Sequence, residues 1–324
     1  MTTPPKLAPL SLSGVKTYSL KNRRSKVNLQ DFGRSWQAGG SLSAFVASLP
    51  KILAAADLRR LAAAWAAARR QGHAVLLGFG AHALKVGLSP IIIALLRQGL
   101  LSGVALNGAG IIHDAEIAMV GHTSEEVEAV LGAGQFGMAE ETASFLNGAI
   151  AWGAQHDLGL GEAVGKRLLA ADFPHNDLSV LAQAAALAVP ATVHVAIGTD
   201  IIHMHPSVAP AALGQTTHRD FRLFAAQVSQ LAHGMYINLG SAVLLPEVFL
   251  KALSLARNLG HQVDPITTAN MDFIQHYRPL TNVVRRPTLG TGLGYALTGH
   301  HEIMFPLLAA MVTELWESGE TTWE

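Results

Sequence analysis

Short apolar runs that alternate with helical patterns constrain the fold of this chain more than any other feature. The runs at residues 73–79 and 101–106 each end in a turn of small residues. An Ala-rich amphipathic helix over Leu58–Arg70, with Asp57 as its cap, is predicted before the first run, and a helix over Gly87–Gln98 before the second. Alternation of this kind with short connections predicts an α/β fold with a mostly parallel sheet.

The same pattern continues along most of the chain. Further strands are predicted at Thr192–Ile197, Met235–Leu239 and Val263–Thr268. Further helices are predicted over Glu125–Leu131 (with the Thr123–Glu126 capping-box spacing), Glu140–Trp152, Leu178–Ala188, Phe221–His233 and Pro246–Asn258. Neither a repeat nor a linker interrupts this pattern, which favours a single α/β domain over residues 41–324.

Residues 1–40 differ from the rest of the chain. They are polar, contain the basic cluster Lys21–Lys26 and lack sustained periodicity. We interpret them as an N-terminal arm. Two descriptions of this arm remain open: it packs on another surface, or it is a mobile tail.

Composition narrows the classes of function. The 324 residues include 23 Lys and Arg against 23 Asp and Glu, so the chain lacks the concentrated basic surface that nucleic-acid binding requires. Charged residues make up only 14% of the chain, which predicts that part of the exterior is buried in a homo-oligomer. The absence of cysteine excludes disulfides, thiolate nucleophiles and Cys-based metal sites.

The sequence also predicts where in the cell the protein is found. The first residues lack the charged and then apolar layout of a signal peptide. The most apolar window, Leu178–Ile197, is interrupted by Pro190 and His194, which favours a buried helix followed by a strand over a membrane span. A cytoplasmic protein without a membrane partner is therefore expected.

Polar groups follow the first two predicted strands. The Gly78–Gly87 turn has glycines where a backbone turns sharply or approaches a ligand, and it contains Lys85. The second turn adds His113, Asp114 and Glu116 just beyond a strand end. Such groups are costly to bury unless they are paired, so a cluster at the carboxyl edge of a parallel sheet favours a ligand site.

A third polar group follows the strand predicted at 192–197. Alternate residues of an extended segment share a face, so His203 and His205 with nearby Asp200 have the spacing to bind a divalent metal. The alternative is a His pair that is hydrogen-bonded in a loop or at an interface. The chain has no Gly-x-Ser-x-Gly elbow, which argues against Ser-His-Asp hydrolysis.

Polar residues near the end of the chain are consistent with a second wall of the site, although exposed helix ends would explain them almost as well. Among them, Arg278, Arg285 and Arg286 form a cationic cluster. The planar fork of a guanidinium suits a carboxylate or phosphate on the substrate.

The segment Gly78–Ile117, with its glycine turn, amphipathic helix, apolar strand and following acidic residue, resembles the deoxyhypusine synthase family. The resemblance covers most of the chain from about Ala44, at low identity and without one decisive motif. It extends to Asp200 with His205, Gly234–Ile237, Thr268–Ala269 and Phe305–Leu308. It implies one Rossmann-like three-layer domain, a tetramer built from tight dimers with sites at the dimer interface, and NAD used to oxidise spermidine.

The resemblance also implies roles for particular residues. His113, Asp114 and Asp200 would lie near the polyamine. The residues implied to bind NAD are Gly80, Ala81, His82, Asn107, Gly108, Ala109, Gly110, Thr268 and Ala269.

The family's reaction requires a residue that this chain lacks. That reaction runs through a lysine imine formed late in the chain, in a Trp-Gly-Lys context, whereas the last lysine here is Lys251. In addition, Gln275–Pro287 is cationic where a polyamine site should be acidic. Hypusine synthesis is therefore not expected. Lys85 either replaces the missing lysine, as a nucleophile or base, or is an ordinary solvated or anion-binding cation.

These observations predict a deoxyhypusine-synthase-like transferase or oxidoreductase. It would bind NAD and act by dehydrogenation or group transfer on a small polar metabolite, either an amine or an amino-acid-like molecule. The predicted acid/base groups are His113 and Asp114, Asp200 would orient an amine or hydroxyl, and the predicted substrate contacts are Glu116, His205, Arg278 and Arg285. The alternatives are a metal-dependent hydrolase or lyase using Asp200, His203 and His205, and a non-catalytic oligomeric binding protein.

Overall fold

The computed structural model describes residues 7–323, in which six strands form one parallel sheet. The strands are β1 (Val75–Phe79), β2 (Gly103–Asn107), β3 (Ala191–His194), β4 (Met235–Leu239), β5 (Thr267–Asp272) and β6 (Leu293–Thr298). Their order across the sheet is β3-β2-β1-β4-β5-β6, and every neighbouring pair is parallel. The predicted α/β class is confirmed.

Helices cover both faces of this sheet. They are α1 (Leu42–Ser48), α2 (Leu53–Arg70), α3 (Ala81–Lys85), α4 (Ser89–Arg97), α5 (Gly108–Val120), α6 (Val127–Val130), α7 (Glu140–Gln155), α8 (Leu160–Ala171), α9 (Val180–Ala186), α10 (Pro210–Val228), α11 (Leu244–Asn258), α12 (Tyr277–Pro279) and α13 (His301–Ser318). α12 continues directly as a π-helix over Leu280–Arg285.

Alternation along the strands divides the core into two layers. Leu77 and Ile237 face the larger layer, which contains apolar side chains of α2, α4, α5 and α13. Leu76 and Tyr236 face the opposite layer, which contains side chains of α10 and α11. Tyr236 stacks on Phe249 of α11, with ring centroids 3.9 Å apart. The result is a three-layer fold whose strands are buried on both faces.

The order of the strands reverses between β1 and β4. The chain first builds outward from β1 to β2 and β3, and then returns to place β4 on the other side of β1. The connections that leave β1 and β4 therefore run in opposite directions at the carboxyl edge. In open α/β sheets, ligands bind at this topological switch point.

Most predicted elements are present. The predicted strand Met235–Leu239 matches β4 residue for residue. The apolar window 178–197 contains α9 and β3, as its interruptions indicated. Pro90 lies in the first turn of α4, where the missing N–H disturbs no hydrogen bond.

Several local predictions are wrong. The strand predicted at Val263–Thr268 lies four residues later, as β5, and β6 and α13 were not predicted. α2 begins at Leu53, so Asp57 lies inside the helix and pairs with Arg60 at 3.1 Å instead of capping it. The Thr123–Glu126 capping box does not form, because Ser124 has a positive φ of 75° and the Thr123 hydroxyl bonds elsewhere.

The described part of the N-terminal arm, residues 7–40, contains two short 3-10 helices, Leu20–Asn22 and Leu29–Asp31. The arm is almost entirely exposed, and its partner surface stays a prediction. The rest of the arm, residues 1–6, lies outside the described residues, as does Glu324. Within residues 7–323, no helix combines the length and apolar character needed to cross a bilayer.

Candidate functional site

The carboxyl edge of the sheet brings several chain segments to one cavity. α3 follows β1 after Gly80, α5 begins directly after β2, and a loop follows β3. Together with part of the loop 121–139, these segments line a cavity of about 200 Å³. The sequence-predicted residues that line it are Lys85, Ala109, His113, Glu116 and Asp200. The fold thus places three of the four predicted catalytic side chains together.

A chain of hydrogen bonds determines which nitrogen of His113 carries the proton. Thr123 Oγ1 lies 2.7 Å from His113 Nδ1 and donates to Glu116 Oε2. A hydroxyl has one proton and a carboxylate only accepts, so Thr123 must accept a hydrogen bond from His113 Nδ1–H. Nε2 makes no hydrogen bond within the described part of the chain. In neutral His113 its lone pair is therefore available to take a proton.

The surroundings of His113 favour its neutral form. Burial lowers the pKa of His113, which is 16% exposed; Glu116 raises this pKa, with Oε2 4.0 Å from Nδ1, and the positive charge of Lys85 lowers it. The net effect is a pKa below the ordinary value for histidine. At neutral pH the imidazole is thus a base and not an acid.

Glu116 is held in place from two sides. Besides the bond from Thr123, it accepts a hydrogen bond from Thr142 Oγ1 at 3.1 Å. Thr142 lies on α7, whereas Glu116 and His113 lie one turn apart on α5. The carboxylate therefore orients His113 through Thr123 while remaining 19% exposed.

Asp200 packs against the first turn of α5. A Cβ on Gly108 would lie 2.0 Å from Asp200 Oδ2, so glycine is required for this approach. Oδ2 is buried without a hydrogen-bond partner within residues 7–323, and Nε2 of His203 lies 3.8 Å from it. Burial raises the pKa of Asp200, while the nearby His203 lowers it.

The start of α5 has little room for a phosphate. Asn107 caps the helix by accepting a hydrogen bond from the Gly110 amide at 2.9 Å, and the Asp200 carboxylate covers Gly108. A phosphate here would face a carboxylate, so the geometry does not support a phosphate contact at this turn. Ala109, by contrast, lines the cavity.

We call the place where the loops after β1 and β4 meet the switch-point crevice. A Cβ on Gly80 would lie 3.1 Å from the carbonyl oxygen of Gly240. His301 stands against Gly240, and neither of its ring nitrogens has a hydrogen-bond partner within residues 7–323. Its Nε2 is 3.6 Å from Asp272 Oδ1. Burial lowers the pKa of His301, and the Asp272 carboxylate opposes this shift.

The remaining predicted residues of the first turn lie near this crevice. Ala81 begins α3. His82 is exposed and contacts His301 edge to face, with ring centroids 5.4 Å apart. Asp272 and His301 belong to the polar segments near the end of the chain that were predicted as a second wall of the site. They were given no specific role, since β6 and α13 were not recognised and the end of β5 was misplaced.

Asp114 is not part of the cavity, which corrects its prediction as an acid/base group. It points away from His113 and is fully buried. Its carboxylate accepts hydrogen bonds from Ser179 Oγ at 2.6 Å, Val180 N at 2.7 Å and Leu181 N at 3.1 Å. Burial raises its pKa to about 6, against the effect of these bonds. Asp114 therefore anchors the start of α9.

Thr268 and Ala269 also lie away from the cofactor position that the resemblance implies. They are at the beginning of β5, since this strand ends at Asp272, and both are fully buried. The Thr268 hydroxyl donates to the carbonyl of Val283 at 2.7 Å. They are core residues, remote from the carboxyl edge.

The predicted cationic wall does not form a cluster around the cavity. Arg278 is exposed and pairs with Glu247 of α11, at 3.4 Å. Arg285 is exposed at the far end of the π-helix, seven residues later. Neither lines the 200 Å³ cavity.

The geometry likewise does not support the metal alternative. His205 Nε2 lies 3.1 Å from Glu140 Oε2 and its Nδ1 lies 2.7 Å from the Ser207 hydroxyl. His203 faces Asp200 instead. Within residues 7–323 no group of three side chains is arranged to hold a metal ion.

A second, larger cavity of about 760 Å³ adjoins the first. The two share the lining residues Glu116, Ser124, Glu125 and Ile201. The sequence pattern did not mark Thr123, Glu125 or the apolar side chains of this cavity as site residues. The only signal was the polar Thr123–Glu126 segment after α5, whose spacing is equally that of a helix cap.

The comparisons with known proteins show a similarity of fold and not of sequence. No family model and no curated protein matches the sequence. The ternary complex of AgrE with ornithine and NAD⁺ matches with a TM-score of 0.52 at 12% identity, over 81% of this chain and 33% of AgrE. This chain thus spans about a third of the length of AgrE.

Two further structures match over more of their own length. A protein provisionally assigned to the LOR/SDH group, from Methanococcus maripaludis S2, matches with a TM-score of 0.52 at 13% identity, over 86% of this chain and 72% of that one. A protein provisionally assigned as a deoxyhypusine synthase, from Entamoeba histolytica, matches with a TM-score of 0.51 at 12% identity, over 87% and 96%. The shared property is the fold. The Rossmann-like architecture implied by the resemblance is confirmed.

Proposed function

We propose that this protein is an enzyme that acts on a small amine, by dehydrogenation or group transfer, with His113 as the base. The observation that carries this proposal is the free Nε2 of His113 at a cavity lined by the carboxylates of Glu116, Glu125 and Asp200, with Lys85 as its one lysine among the described residues. Glu116 and Asp200 line the same cavity, and their negative charges favour a substrate ammonium group. Binding and proton removal would thus occur at one place.

The first step follows from these residues. The substrate ammonium binds between the carboxylates, and His113 Nε2 takes one of its protons, which leaves a neutral amine with a lone pair. Thr123 and Glu116 hold the imidazole in the required tautomer, and Glu116 stabilises the imidazolium that forms. The positive charge of Lys85 lowers the pKa of His113, so the imidazolium releases its proton readily.

NAD is the cofactor we propose for dehydrogenation, in which it accepts a hydride. Support comes from the strand order, which reverses between β1 and β4, the arrangement at which nucleotides bind in open α/β sheets, and from the NAD⁺ in the AgrE complex. Gly80 and Gly240 let the two loops pack closely against each other and against His301. The buried ring nitrogens of His301 lack partners within residues 7–323 and would be available to hydrogen-bond the cofactor. Ala81 and His82 border this position.

Hypusine synthesis is not part of the proposal, because no lysine follows Lys251. Lys85 is the only lysine at the cavity among the described residues, and we propose an electrostatic role for it. A tetramer built from dimers stays a prediction from the family resemblance, and a cytoplasmic location a prediction from the sequence.

The test is NAD⁺ reduction by the purified protein with a panel of primary amines, followed by nicotinamide absorbance. We expect turnover whose rate rises with pH through the pKa of His113, and a loss of at least about a hundredfold in His113→Gln. His156→Gln, at an exposed histidine of the α7–α8 connection, is the matched control. If no amine reduces NAD⁺ and calorimetry detects no NAD⁺ binding, dehydrogenation is wrong.

A further inference from the structure

The larger cavity determines what kind of amine the site can hold. It lies under the 121–139 loop, between the second half of α5 and the start of α7. At about 760 Å³ it is in the range that encloses a drug-sized ligand, and it exceeds what a short amino acid fills. Because it shares Glu116, Ser124, Glu125 and Ile201 with the smaller cavity, one molecule can extend from one cavity into the other.

The lining of the larger cavity is mainly apolar. Met119, Val120, Phe145 and Phe173 contribute to it. Phe145 and Phe173 contact each other edge to face, with ring centroids 5.2 Å apart. Such walls gain free energy by removing an alkyl or aryl group from water, and they offer little to the hydrophilic chain of a polyamine.

Carboxylates predominate among the ionisable groups in the lining, where His122 is the single basic side chain. Glu116, Glu125 and Glu141 contribute carboxylates, and neither lysine nor arginine is among the lining residues. Glu125 also accepts a hydrogen bond from the Gly137 amide at 2.9 Å, which ties the two ends of the loop together above the cavity. A substrate carboxylate or phosphate would be repelled here, whereas an ammonium group would be attracted.

We infer that the substrate is a primary amine with an apolar alkyl or aryl body and no acidic group. Its ammonium lies at the junction of the two cavities, beside Glu116 and within reach of His113, and its apolar body fills the larger cavity between Phe145 and Phe173. The assignment of the reacting end rests on the proposed function. The assignment of the apolar body rests on the cavity alone.

The probes are three molecules that share the phenylbutyl group: phenylbutylamine, phenylbutanol and phenylpentanoate. Their binding to the intact protein without NAD⁺ is measured by calorimetry. The inferred order is amine, then alcohol, then acid, with at least about tenfold between the amine and the acid. Butane-diamine, which has no apolar end, should bind at least about tenfold more weakly than phenylbutylamine.

Two variants test whether phenylbutylamine binds in the larger cavity. Ala139 lines the cavity and is exposed, so Ala139→Trp should fill the cavity and weaken phenylbutylamine binding by at least about tenfold. Ala133→Trp, at an exposed position of the same loop outside the lining, should leave binding unchanged. Circular dichroism of both variants establishes that they are folded.

The outcomes separate this inference from the proposed function. Equal binding of the amine and the acid, or unchanged amine binding in Ala139→Trp, would overturn the inference. Turnover of butane-diamine without binding of phenylbutylamine would also overturn it, yet would leave the proposed function standing. Selective binding of phenylbutylamine supports the inference even if no NAD⁺ is reduced, a result that would count against dehydrogenation alone.

Discussion

Two buried carboxylates, Asp220 and Asp114, can be compared directly. Replacing each by asparagine should change the free energy of unfolding by different amounts. Asp220 on α10 accepts two backbone hydrogen bonds on one oxygen, Oδ2, from Gly161 N at 2.9 Å and Val193 N at 2.7 Å. Its other oxygen has no partner within residues 7–323. In Asp114, each oxygen accepts at least one backbone N–H.

The size of the stability change expected for Asp220→Asn follows from the pKa of Asp220. Burial raises the pKa of Asp220 from 3.8 to about 7, so ionised Asp220 costs about 4 kcal/mol of stability above that pH. Because the folded pKa is raised, the cost is absent below pH 3.8 and is reached in full as the pH rises through about 7. Asp220→Asn removes the charge and keeps both bonds, while its unpaired NH₂ costs about 1–3 kcal/mol. We expect a net gain of about 1–3 kcal/mol at about pH 8.

Asp114→Asn also removes a buried charge, which is worth about 3 kcal/mol because the pKa is raised to about 6. Its NH₂ group, however, must face a backbone N–H whichever way the amide turns. The lost bond and the donor–donor contact cost about 2–4 kcal/mol, so the variant gains little or is destabilised.

The assay is urea unfolding of the wild type and both variants at about pH 8 and about pH 5. The gain in stability should be about 2 kcal/mol larger for Asp220→Asn than for Asp114→Asn at the higher pH. The advantage of Asp220→Asn over the wild type should shrink by about 2–3 kcal/mol at the lower pH. Equal effects of the two substitutions, or an advantage of Asp220→Asn that does not depend on pH, would refute the reasoning.

Three further predictions concern the site and its support. Thr123→Val breaks the link that orients His113, so amine turnover should fall by about tenfold or more and ¹⁵N NMR should show a mixture of imidazole tautomers; an unchanged single tautomer would refute the link. Gly108→Ala should lose about 2 kcal/mol or more in urea unfolding, because the methyl group displaces Asp200; wild-type stability would contradict that contact. Tyr236→Phe should gain about 1 kcal/mol, since the hydroxyl is buried without a partner in the described chain; a loss in the same assay would indicate a missed partner.

The sequence predicted well the parts of the fold that depend on apolar periodicity. β4 is a short, mostly apolar run between turns, and the α9–β3 segment is a long apolar window whose interruptions separate helix from strand, so the burial of both follows from the apolar pattern. β5 was misplaced because its sequence, Thr267–Asp272, is polar. Its buried Asn270 is satisfied by Asn238, at 2.7 Å, and by Gln275, at 2.8 Å, and pairings of this kind leave no periodic signal.

The candidate site was predictable to the extent that chemistry follows strand ends. Lys85, His113 and Asp200 meet because the carboxyl ends of parallel strands share one edge. The roles of neighbouring residues were not predictable, because they depend on the direction of a side chain on a helix. His113 and Asp114 are adjacent on α5 and therefore point about 100° apart, one toward the cavity and the other toward α9.

The most direct test of the proposed site is a crystal structure of the protein with phenylbutylamine and NAD⁺. Density for the amine nitrogen should lie within hydrogen-bond distance of His113 Nε2 and beside Glu116, with the phenyl ring against Phe145 and Phe173. Density for the nicotinamide should lie at the Gly80–Gly240 crevice. An amine bound away from His113, or a cofactor bound away from that crevice, would contradict the proposal.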